Sequence, residues 1–333
     1  MARMTFVQAV RDALAEEMRL DARTFLIGED VETGLQGTTK GLREEFGPER
    51  VRNCPISEAT FTGVGVGAAA VGSRPIIDLM YATFNYVAMD QLVNQAAKLR
   101  YMTGGQVRLP ITYLMVSGAG HMGAAQHSES PHGMFMNVPG LKIAMPSGPR
   151  EAKGLVKAAV RDDNPTLVFF DFTLLRGRAE VPDDPTFTLP LGVAEIKREG
   201  KDVTIVGIGP AVPRALAAAQ GLAAKGIDAE VVDVLSLAPL DGERILASVA
   251  KTGRLVVVDD APPRAGAAAE IVALATEEGF AALKAPVHRV CRLPVPMPFN
   301  RNLERYVMPD TARIEAAAIA AVEGKYRAPG GRH

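Results

Sequence analysis

Apolar positions in the first half of the chain follow two spacings, one typical of amphipathic helices and one typical of buried strands. The residues at helical spacing lie near the N-terminus: Phe6, Val10, Ala13 or Leu14, and Met18. Short, mainly apolar runs, the pattern of parallel strands covered on both faces, occur at residues 25–27, 76–80, 111–116, 141–145 and 166–170. These patterns predict a first helix followed by a series of buried strands.

Helices are predicted between these strands. After the second strand, the apolar residues at helical spacing are Met89, Leu92, Val93, Ala96 and Leu99. Ser147 followed by Pro149 predicts the start of another helix, because serine is a favoured N-cap and proline is tolerated in the first turn. Strands that alternate with helices predict an α/β fold with mostly parallel sheets.

The alternating pattern is interrupted once, at residues 178–190. This segment, RAEVPDDPTFTLP, is rich in proline and acidic residues and is typical of a linker. Strands and helices are again predicted from residue 203 to residue 291. The sequence therefore predicts two α/β domains, residues 1–185 and 186–333, as a length of 333 residues also favours.

The charge balance and the cysteines exclude several classes of protein. The chain has 37 basic and 38 acidic residues, without the basic excess of nucleic-acid-binding proteins. Residues 58–74 form the least polar stretch, but they are too few to span a membrane. The N-terminal residues lack the features of a signal peptide, and Cys54 and Cys291 are expected to be buried, reduced thiols. We expect a cytoplasmic protein without nucleic-acid or membrane partners.

Two glycine-rich turns resemble dinucleotide-binding loops only in part. Gly63, Gly65 and Gly67 do not follow an apolar strand, and the turn at residues 207–209 has Val212 in place of the third glycine. Close packing of helices on strands is the favoured interpretation of both turns.

Three of the five histidines lie within residues 118–133, GAGHMGAAQHSESPHG. The intervals between His121, His127 and His132 are six and five residues, unlike the short spacing of many helical zinc ligands. The many glycines favour a loop, in which histidines serve catalysis or simply lie at the surface. Both interpretations stay open at this point.

Glu58, in the segment PISEATF, has small and apolar neighbours just before the glycine-rich helix. A carboxyl group in apolar surroundings has a raised pKa, which suits proton transfer. The alternative is an acid at a helix N-terminus that Ser57 caps. Spacing does not separate these two interpretations.

Six segments are informative when they are taken together and in order: GEDV (28–31), PISEATFTGVGVGAA (55–69), MDQLVNQAAKLRYMTGG (89–105), AAQHS (124–128), VPGLKI (138–143) and AVRDDNP (159–165). The chain resembles the β subunit of the thiamine-diphosphate-dependent decarboxylase component of 2-oxo acid dehydrogenase complexes. Pyruvate, branched-chain and acetoin dehydrogenases have such a subunit. The resemblance implies a transketolase-like pyrimidine-binding domain followed by a transketolase C-terminal domain.

The resemblance also implies roles for individual residues. Glu58 matches the glutamate that hydrogen-bonds the aminopyrimidine ring of thiamine diphosphate. Phe84 matches the aromatic residue stacked on that ring, and Met80 lies near the same ring; ordinary core packing is the alternative for both. His127 matches the histidine near the reactive carbon, where it stabilises intermediates or assists acyl transfer. His121 and His132 match less well.

Two kinds of metal ion are implied by the resemblance. Positions that match a structural potassium site, mostly through backbone oxygens, are Ile111, Ala159, Val160, Asp162 and Asn164. Magnesium and the cofactor's diphosphate are bound in the family by a Gly-Asp-Gly motif and a later Asn of the α subunit, and the chain has no Gly-Asp-Gly. The resemblance therefore implies a shared cofactor and an α2β2 heterotetramer.

The function implied is the β subunit of a 2-oxo acid or acetoin dehydrogenase that transfers an acyl unit to a lipoyl-bearing acyltransferase. The alternatives are half of a split transketolase, or a carrier-protein acyl-transfer enzyme, and a non-catalytic scaffolding subunit. Two features depart from the family pattern: Arg176 replaces a tyrosine, and the loop after Val31 is short. Neither identifies the substrate.

Overall fold

The computed structural model describes residues 1–326, and the chain divides into two compact units. Unit 1 comprises Met1–Ser117 and Phe135–Leu191, and unit 2 comprises Gly118–Met134 and the chain from Gly192 onward. This division differs from the predicted domains 1–185 and 186–333 in its boundary and in the place of Gly118–Met134. The physical reason is that this segment forms its long-range hydrogen bonds with residues of the C-terminal half.

Unit 1 contains eight of the labelled strands, which are β1 (Ala2–Thr5), β2 (Thr24–Gly28), β3 (Val51–Asn53), β4 (Arg74–Tyr81), β5 (Thr112–Ser117), β6 (Lys142–Ala144), β7 (Thr166–Asp171) and β8 (Arg178–Val181). Its helices, numbered along the whole chain, are α1 (Phe6–Leu20), α2 (Leu42–Phe46), α3 (Glu58–Ala70), α4 (Leu99–Met102) and α7 (Pro149–Arg161). The main strands lie side by side in the order β6-β7-β5-β4-β2-β3, and every pair among them is parallel.

Helix α1 has the amphipathic character that its sequence predicts. Its apolar face, including Phe6, Val10, Leu14 and Met18, is fully buried, and the helix packs on α7. Thr5 and Gln8 form a capping box in which each side chain accepts a hydrogen bond from the other residue's backbone N–H. The predicted first helix and the predicted strands of the sheet are confirmed.

Two local predictions in unit 1 are wrong, and a third, the helix after β4, holds in a modified form. The helix expected over residues 89–99 is a π-helix, Asp90–Ala96, followed by α4, because the Ala97 N–H bonds to the Leu92 carbonyl five residues earlier. The predicted linker begins with β8, which pairs antiparallel with β1. Gly148 rather than Ser147 is the N-cap of α7, with Pro149 at its first position.

Unit 2 has the strands β9 (Glu195–Arg198), β10 (Val203–Gly207), β11 (Ala229–Asp233), β12 (Ser236–Ala238), β13 (Leu255–Asp259) and β14 (His288–Cys291). Its helices are α5 (Ala124–His127), α6 (His132–Met136, which ends in unit 1), α8 (Ala211–Ala223), α9 (Gly242–Thr252), α10 (Ala267–Glu277), α11 (Arg301–Val307) and α12 (Thr311–Val322). The sheet order is β14-β13-β10-β11-β9; in this sheet the β9–β11 pair is antiparallel, and the β14–β13, β13–β10 and β10–β11 pairs are parallel.

The core of unit 2 lies between this sheet and the helices α8 and α12. Small alanines of both helices meet the valines and isoleucines of β10, β11 and β13 there. The strands are continuous apolar runs, as expected for strands covered on both faces. The two-domain α/β fold with mostly parallel sheets is therefore confirmed.

The remaining general expectations concern the membrane and the cysteines. Within residues 1–326, no helix has both the length and the apolar character needed to cross a bilayer. Cys291 is buried as expected, whereas Cys54 is half-buried, and both thiols are free.

Candidate functional site

Glu58 is the first residue of α3, and its side chain is buried, with the residue only 6% exposed. Its carboxylate accepts no hydrogen bond from the residues that the structure describes, 1–326. The expected cap is wrong, because the Ser57 hydroxyl donates to the Pro55 carbonyl at 2.9 Å and caps no helical N–H. An acid that is only 6% exposed and has no hydrogen-bonding partner among residues 1–326 is uncommon in a folded protein and indicates a functional position.

Two further acids, which the sequence patterns did not indicate, lie at the same edge of the sheet. Glu29 follows β2, and burial, together with the charges of Asp30 and Glu58, raises the pKa of Glu29. Asp78 is paired in register with Gly28, and burial raises its pKa to about 6. The sequence carried a signal for Glu29, because it directly follows a buried apolar strand. Ligands bind at the edge of a parallel sheet where such strands end.

The end of β4 carries both residues predicted to line the cofactor. Met80 has a positive φ of 58°, a conformation unfavourable for a residue with a Cβ, at an irregularity in the β4–β5 register. Its backbone N–H donates to Asp78 Oδ1 at 2.9 Å. Phe84 lies in the 3₁₀ turn Ala82–Tyr86 and contacts Tyr81 edge to face, with ring centroids 5.6 Å apart.

Helix α3 packs on β4 and brings its N-terminus to the edge at which β4 ends, as helix N-termini do in parallel α/β sheets. Close packing depends on Gly65, where an added Cβ would lie 2.4 Å from the Ile77 Cδ1 atom. Gly65 is thus a packing residue, as expected, whereas Gly67 of the same helix is exposed and has no neighbouring atom within 4 Å of an added Cβ. In unit 2, a Cβ on Gly207 would lie 2.9 Å from Val212 Cγ2, so the same explanation holds there.

His127 is the last residue of the one-turn helix α5 and is half-buried. It belongs to unit 2, whereas Glu58, Met80 and Phe84 belong to unit 1. His121 lies against Gly123, where an added Cβ would be 2.3 Å from its Nε2 atom. Burial and the charge of His127 lower the pKa of His121, against the opposing charge of Glu304.

His132 has a structural environment. Its Nε2 atom is 3.0 Å from Asp259 Oδ1, and both side chains are buried. Burial alone raises the pKa of Asp259, but the charge and hydrogen bond of His132 outweigh it, and the pKa lies below its ordinary range. Among residues 1–326, no group of three or more His, Cys, Asp or Glu side chains is suited to a metal ion.

The residues predicted to bind potassium lie around the turn after α7 and at the start of β5. The carbonyl oxygens of Val160 and Asp162 accept hydrogen bonds from Arg74 Nη1 at 3.0 and 3.1 Å. The Ile111 carbonyl accepts from the Thr166 N–H at 2.9 Å. Each carbonyl has a second lone pair, so the oxygens fit an alkali ion, although the guanidinium competes for the same oxygens. Potassium binding stays a prediction.

Comparisons with known proteins agree with this geometry. The family model of the transketolase pyrimidine-binding domain matches residues 2–177, and that of the transketolase C-terminal domain matches residues 192–314. The structure of a split-gene transketolase, described as an inactive beta4 tetramer, has a TM-score of 0.80 and 25% identity over 97% of this chain and 99% of its own.

The sequence relatives are more specific. The acetoin:2,6-dichlorophenolindophenol oxidoreductase β subunit of Bacillus subtilis (strain 168) is 44% identical over 93% of this chain and 95% of its own. The mitochondrial pyruvate dehydrogenase E1 β-1 subunit of Arabidopsis thaliana is 45% identical over 96% and 89%. The 2-oxoisovalerate dehydrogenase β subunit of Bacillus subtilis (strain 168) is 41% identical over 95% and 98%. The chain therefore belongs to the transketolase-like family of β subunits of 2-oxo acid and acetoin dehydrogenases.

Proposed function

We propose that the chain is the β subunit of a thiamine-diphosphate-dependent 2-oxo acid or acetoin dehydrogenase and contributes half of each active site. One observation carries the proposal: Glu58 is an acid that is only 6% exposed and has no hydrogen bond within residues 1–326, at the edge of the sheet where β4 ends. Such a carboxyl group suits a partner with a ring nitrogen, which shares a proton with it in the absence of water.

Thiamine diphosphate fits the residues of unit 1. When bound, the cofactor supplies the electron sink for loss of carbon dioxide. Glu58 would hold a proton at the aminopyrimidine nitrogen, Phe84 would stack on the ring, and Met80 would contact it from the strained end of β4. His127 would act near the reacting carbon and in acyl transfer to a lipoyl group.

The second half of the site requires an α subunit. The chain lacks the Gly-Asp-Gly motif by which the family binds magnesium and diphosphate, so Mg²⁺ is assigned to the partner in an α2β2 heterotetramer. A solved relative is described as an inactive tetramer of β chains, which supports the dependence on a partner. The acyl acceptor proposed is a lipoyl-bearing acyltransferase, and the cytoplasmic location stays a prediction.

The substrate is proposed only as a class. Relatives named for acetoin, pyruvate and 2-oxoisovalerate are 41–45% identical to this chain, too even a distribution to select one. A split transketolase is the second candidate, favoured by the solved neighbour but at only 25% identity. Turnover of acetoin and a panel of 2-oxo acids, compared with sugar phosphates, distinguishes the two.

Replacement of Glu58 by Gln tests the catalytic proposal. In the complex with the α subunit, Glu58→Gln is expected to lower kcat by several orders of magnitude, because a neutral amide neither gives up a proton to the ring nitrogen nor takes one back. The matched control is Glu44→Gln on α2, an exposed acid outside the site. Equal kcat values for Glu58→Gln and the unaltered enzyme would favour the scaffolding alternative.

Purification of the tagged chain from its own cells tests the partner. Mass spectrometry is expected to identify an equimolar companion that contains Gly-Asp-Gly and a later Asn. Recovery of the chain as a homodimer without a companion contradicts the shared site.

A further inference from the structure

The segment with His127 is held in a strained conformation within unit 2. Met122 and Ala124 have positive φ angles of 57° and 55°, and Gly118 and Gly120 are also left-handed. A left-handed residue with a Cβ costs about 1–2 kcal/mol, so the surrounding contacts must maintain the conformation. Helix α5 is a single turn, too short to be stable by its own hydrogen bonds. The position of His127 therefore depends on anchors outside α5.

One buried side chain supplies the main anchor. Glu304 of α11 is 3% exposed, and its Oε1 atom accepts hydrogen bonds from the backbone N–H groups of Gly120 at 2.9 Å and Met122 at 3.3 Å. Hydrogen bonds to a charged acceptor are stronger than those between neutral groups. The Gly120 and Met122 amides lie just before α5 in the chain. Glu304 therefore holds the backbone from which α5, and with it His127, starts.

Glu304 is itself held rigidly. The Asn300 side chain caps α11 by accepting from the N–H groups of Asn302 and Leu303 at 2.9 and 3.3 Å. The buried face of α11 contributes Val307 to an apolar cluster with Ala119 and Met297. The helix and the segment before α5 are thus packed together around the Glu304 carboxylate.

The other end of the segment has separate anchors. Arg292 Nη2 donates to Glu129 Oε2 at 3.1 Å, and Arg292 is 3% exposed. The Gly118 N–H donates to the Glu129 carbonyl at 3.0 Å, which closes the segment into a loop. Since this end is fixed independently, loss of Glu304 should release the residues before α5 without unfolding the whole segment.

We propose that Glu304 is a positioning residue for His127 in acyl transfer. The role of His127 in this inference rests on the proposed function. The anchoring of the segment by Glu304 does not depend on that function. A displacement of about 1 Å at a catalytic group is enough to cost about 10²-fold in rate, so an anchor several residues away has a measurable effect.

Hydrogen exchange of the free chain tests the anchoring without any activity. In Glu304→Ala, the amides of Gly120 and Met122 lose their acceptor and are expected to exchange at least about tenfold faster, a loss of about 1.4 kcal/mol of protection. Glu304→Gln keeps an acceptor oxygen and should restore most of the protection. Glu315→Ala on α12, which removes the ion pair with Lys225, is the matched control.

A double-mutant cycle in the α–β complex tests the positioning. We expect Glu304→Ala to lower the rate of acyl transfer to a lipoyl carrier by about 10–100-fold, and Glu304→Gln to recover most of it. Because Glu304 acts through His127, the double variant with His127→Ala should be no slower than His127→Ala alone.

The outcomes separate the two proposals. Multiplicative losses in the double variant, or unchanged exchange at Gly120 and Met122, overturn the positioning role. If the unaltered complex shows no turnover of any 2-oxo acid or acetoin, the proposed function fails, while the exchange result still decides whether Glu304 anchors the segment. Urea denaturation of each variant identifies a general loss of stability.

Discussion

At the scale of single residues, the candidate site is a group of acids at the edge of a sheet. Glu58 begins α3, Glu29 follows β2 and Asp78 lies near the end of β4. Burial raises the pKa of Asp78 to about 6, and the repulsion between Glu29 and Glu58 adds to the burial of Glu29. Such perturbed carboxyl groups are typical of sites that move protons.

Asp78 provides a prediction about pH. Its carboxyl group ionises less readily in the folded chain than in the unfolded chain, so the folded state holds an extra proton between about pH 4 and pH 6. Relative to its ionised form, the protonated Asp78 carboxyl group stabilises the folded chain. This stabilisation is complete below pH 4 and is lost as the pH rises through 6. Because Asp78 is half-buried, we expect Asp78→Asn to gain about 1–2 kcal/mol relative to the unaltered chain between pH 4 and pH 7.

Urea denaturation at several pH values measures this difference. Asp183→Asn is the control, since Asp183 is an exposed acid in the segment after β8. A stability difference between Asp78→Asn and the unaltered chain that does not change with pH contradicts the prediction.

At the scale of elements, α3 connects the packing of the sheet to the position of Glu58. Gly65 faces Ile77 and has no room for a Cβ, whereas Gly67 is exposed and has no neighbouring atom within 4 Å of an added Cβ. Two glycines two residues apart on one helix therefore have opposite surroundings. The close approach at Gly65 holds α3 against β4. It thereby also positions the N-terminus of α3, which carries Glu58.

Alanine at each glycine tests this asymmetry in the isolated chain. Gly65→Ala is expected to destabilise the fold by about 1–3 kcal/mol through overpacking against Ile77. Gly67→Ala should stabilise it by about 0.5–1 kcal/mol, because alanine favours the helix. Urea denaturation compares the two, and equal effects would falsify the packing role of Gly65.

The turn after α7 supports a prediction about potassium. Potassium bound by the backbone oxygens of Ala159, Val160 and Asp162 would stabilise the folded chain by about 1.4 kcal/mol at tenfold excess over Kd. We expect a higher unfolding temperature in potassium chloride than in choline chloride at equal ionic strength. Equal temperatures in the two salts contradict potassium binding and leave the Arg74 guanidinium as the partner of the Val160 and Asp162 carbonyls.

At the scale of the whole molecule, the predicted catalytic residues are divided between the two units. Glu58, Met80 and Phe84 lie in unit 1, and His127 lies in a segment that is grouped with unit 2. The motif for the diphosphate and magnesium is missing from the chain altogether. The proposed function therefore depends on assembly with an α subunit.

Reconstitution measures this dependence. The purified chain with thiamine diphosphate and Mg²⁺ should show no turnover of 2-oxo acids or acetoin, and addition of the α subunit should restore it. The control is the α subunit with the chain carrying Glu58→Gln, which should assemble but stay inactive. Activity of the chain alone contradicts the shared site.

Much of the fold could be predicted because hydrophobic periodicity is a local property. The spacing of Phe6, Val10, Leu14 and Met18 is sufficient for α1, and continuous apolar runs are sufficient for the parallel strands. Short or polar elements were missed, such as the edge strand β9 and the helix α11, because their residues carry little periodic signal. The π-helix at Asp90–Ala96 was missed because helical spacing does not distinguish it from an α-helix.

Sequence patterns were sufficient to predict the alternating α/β order and the two-domain organisation, and the motifs were sufficient to identify the family and to mark Glu58 as a candidate site residue. Only the tertiary structure decided that Gly118–Met134 is grouped with unit 2, that Glu29 is close enough to Glu58 for their charges to interact, and that Glu304 binds the backbone before His127. The reason is physical: periodicity and motifs arise from neighbours along the chain, whereas these contacts join residues far apart in sequence that only the folded packing brings together.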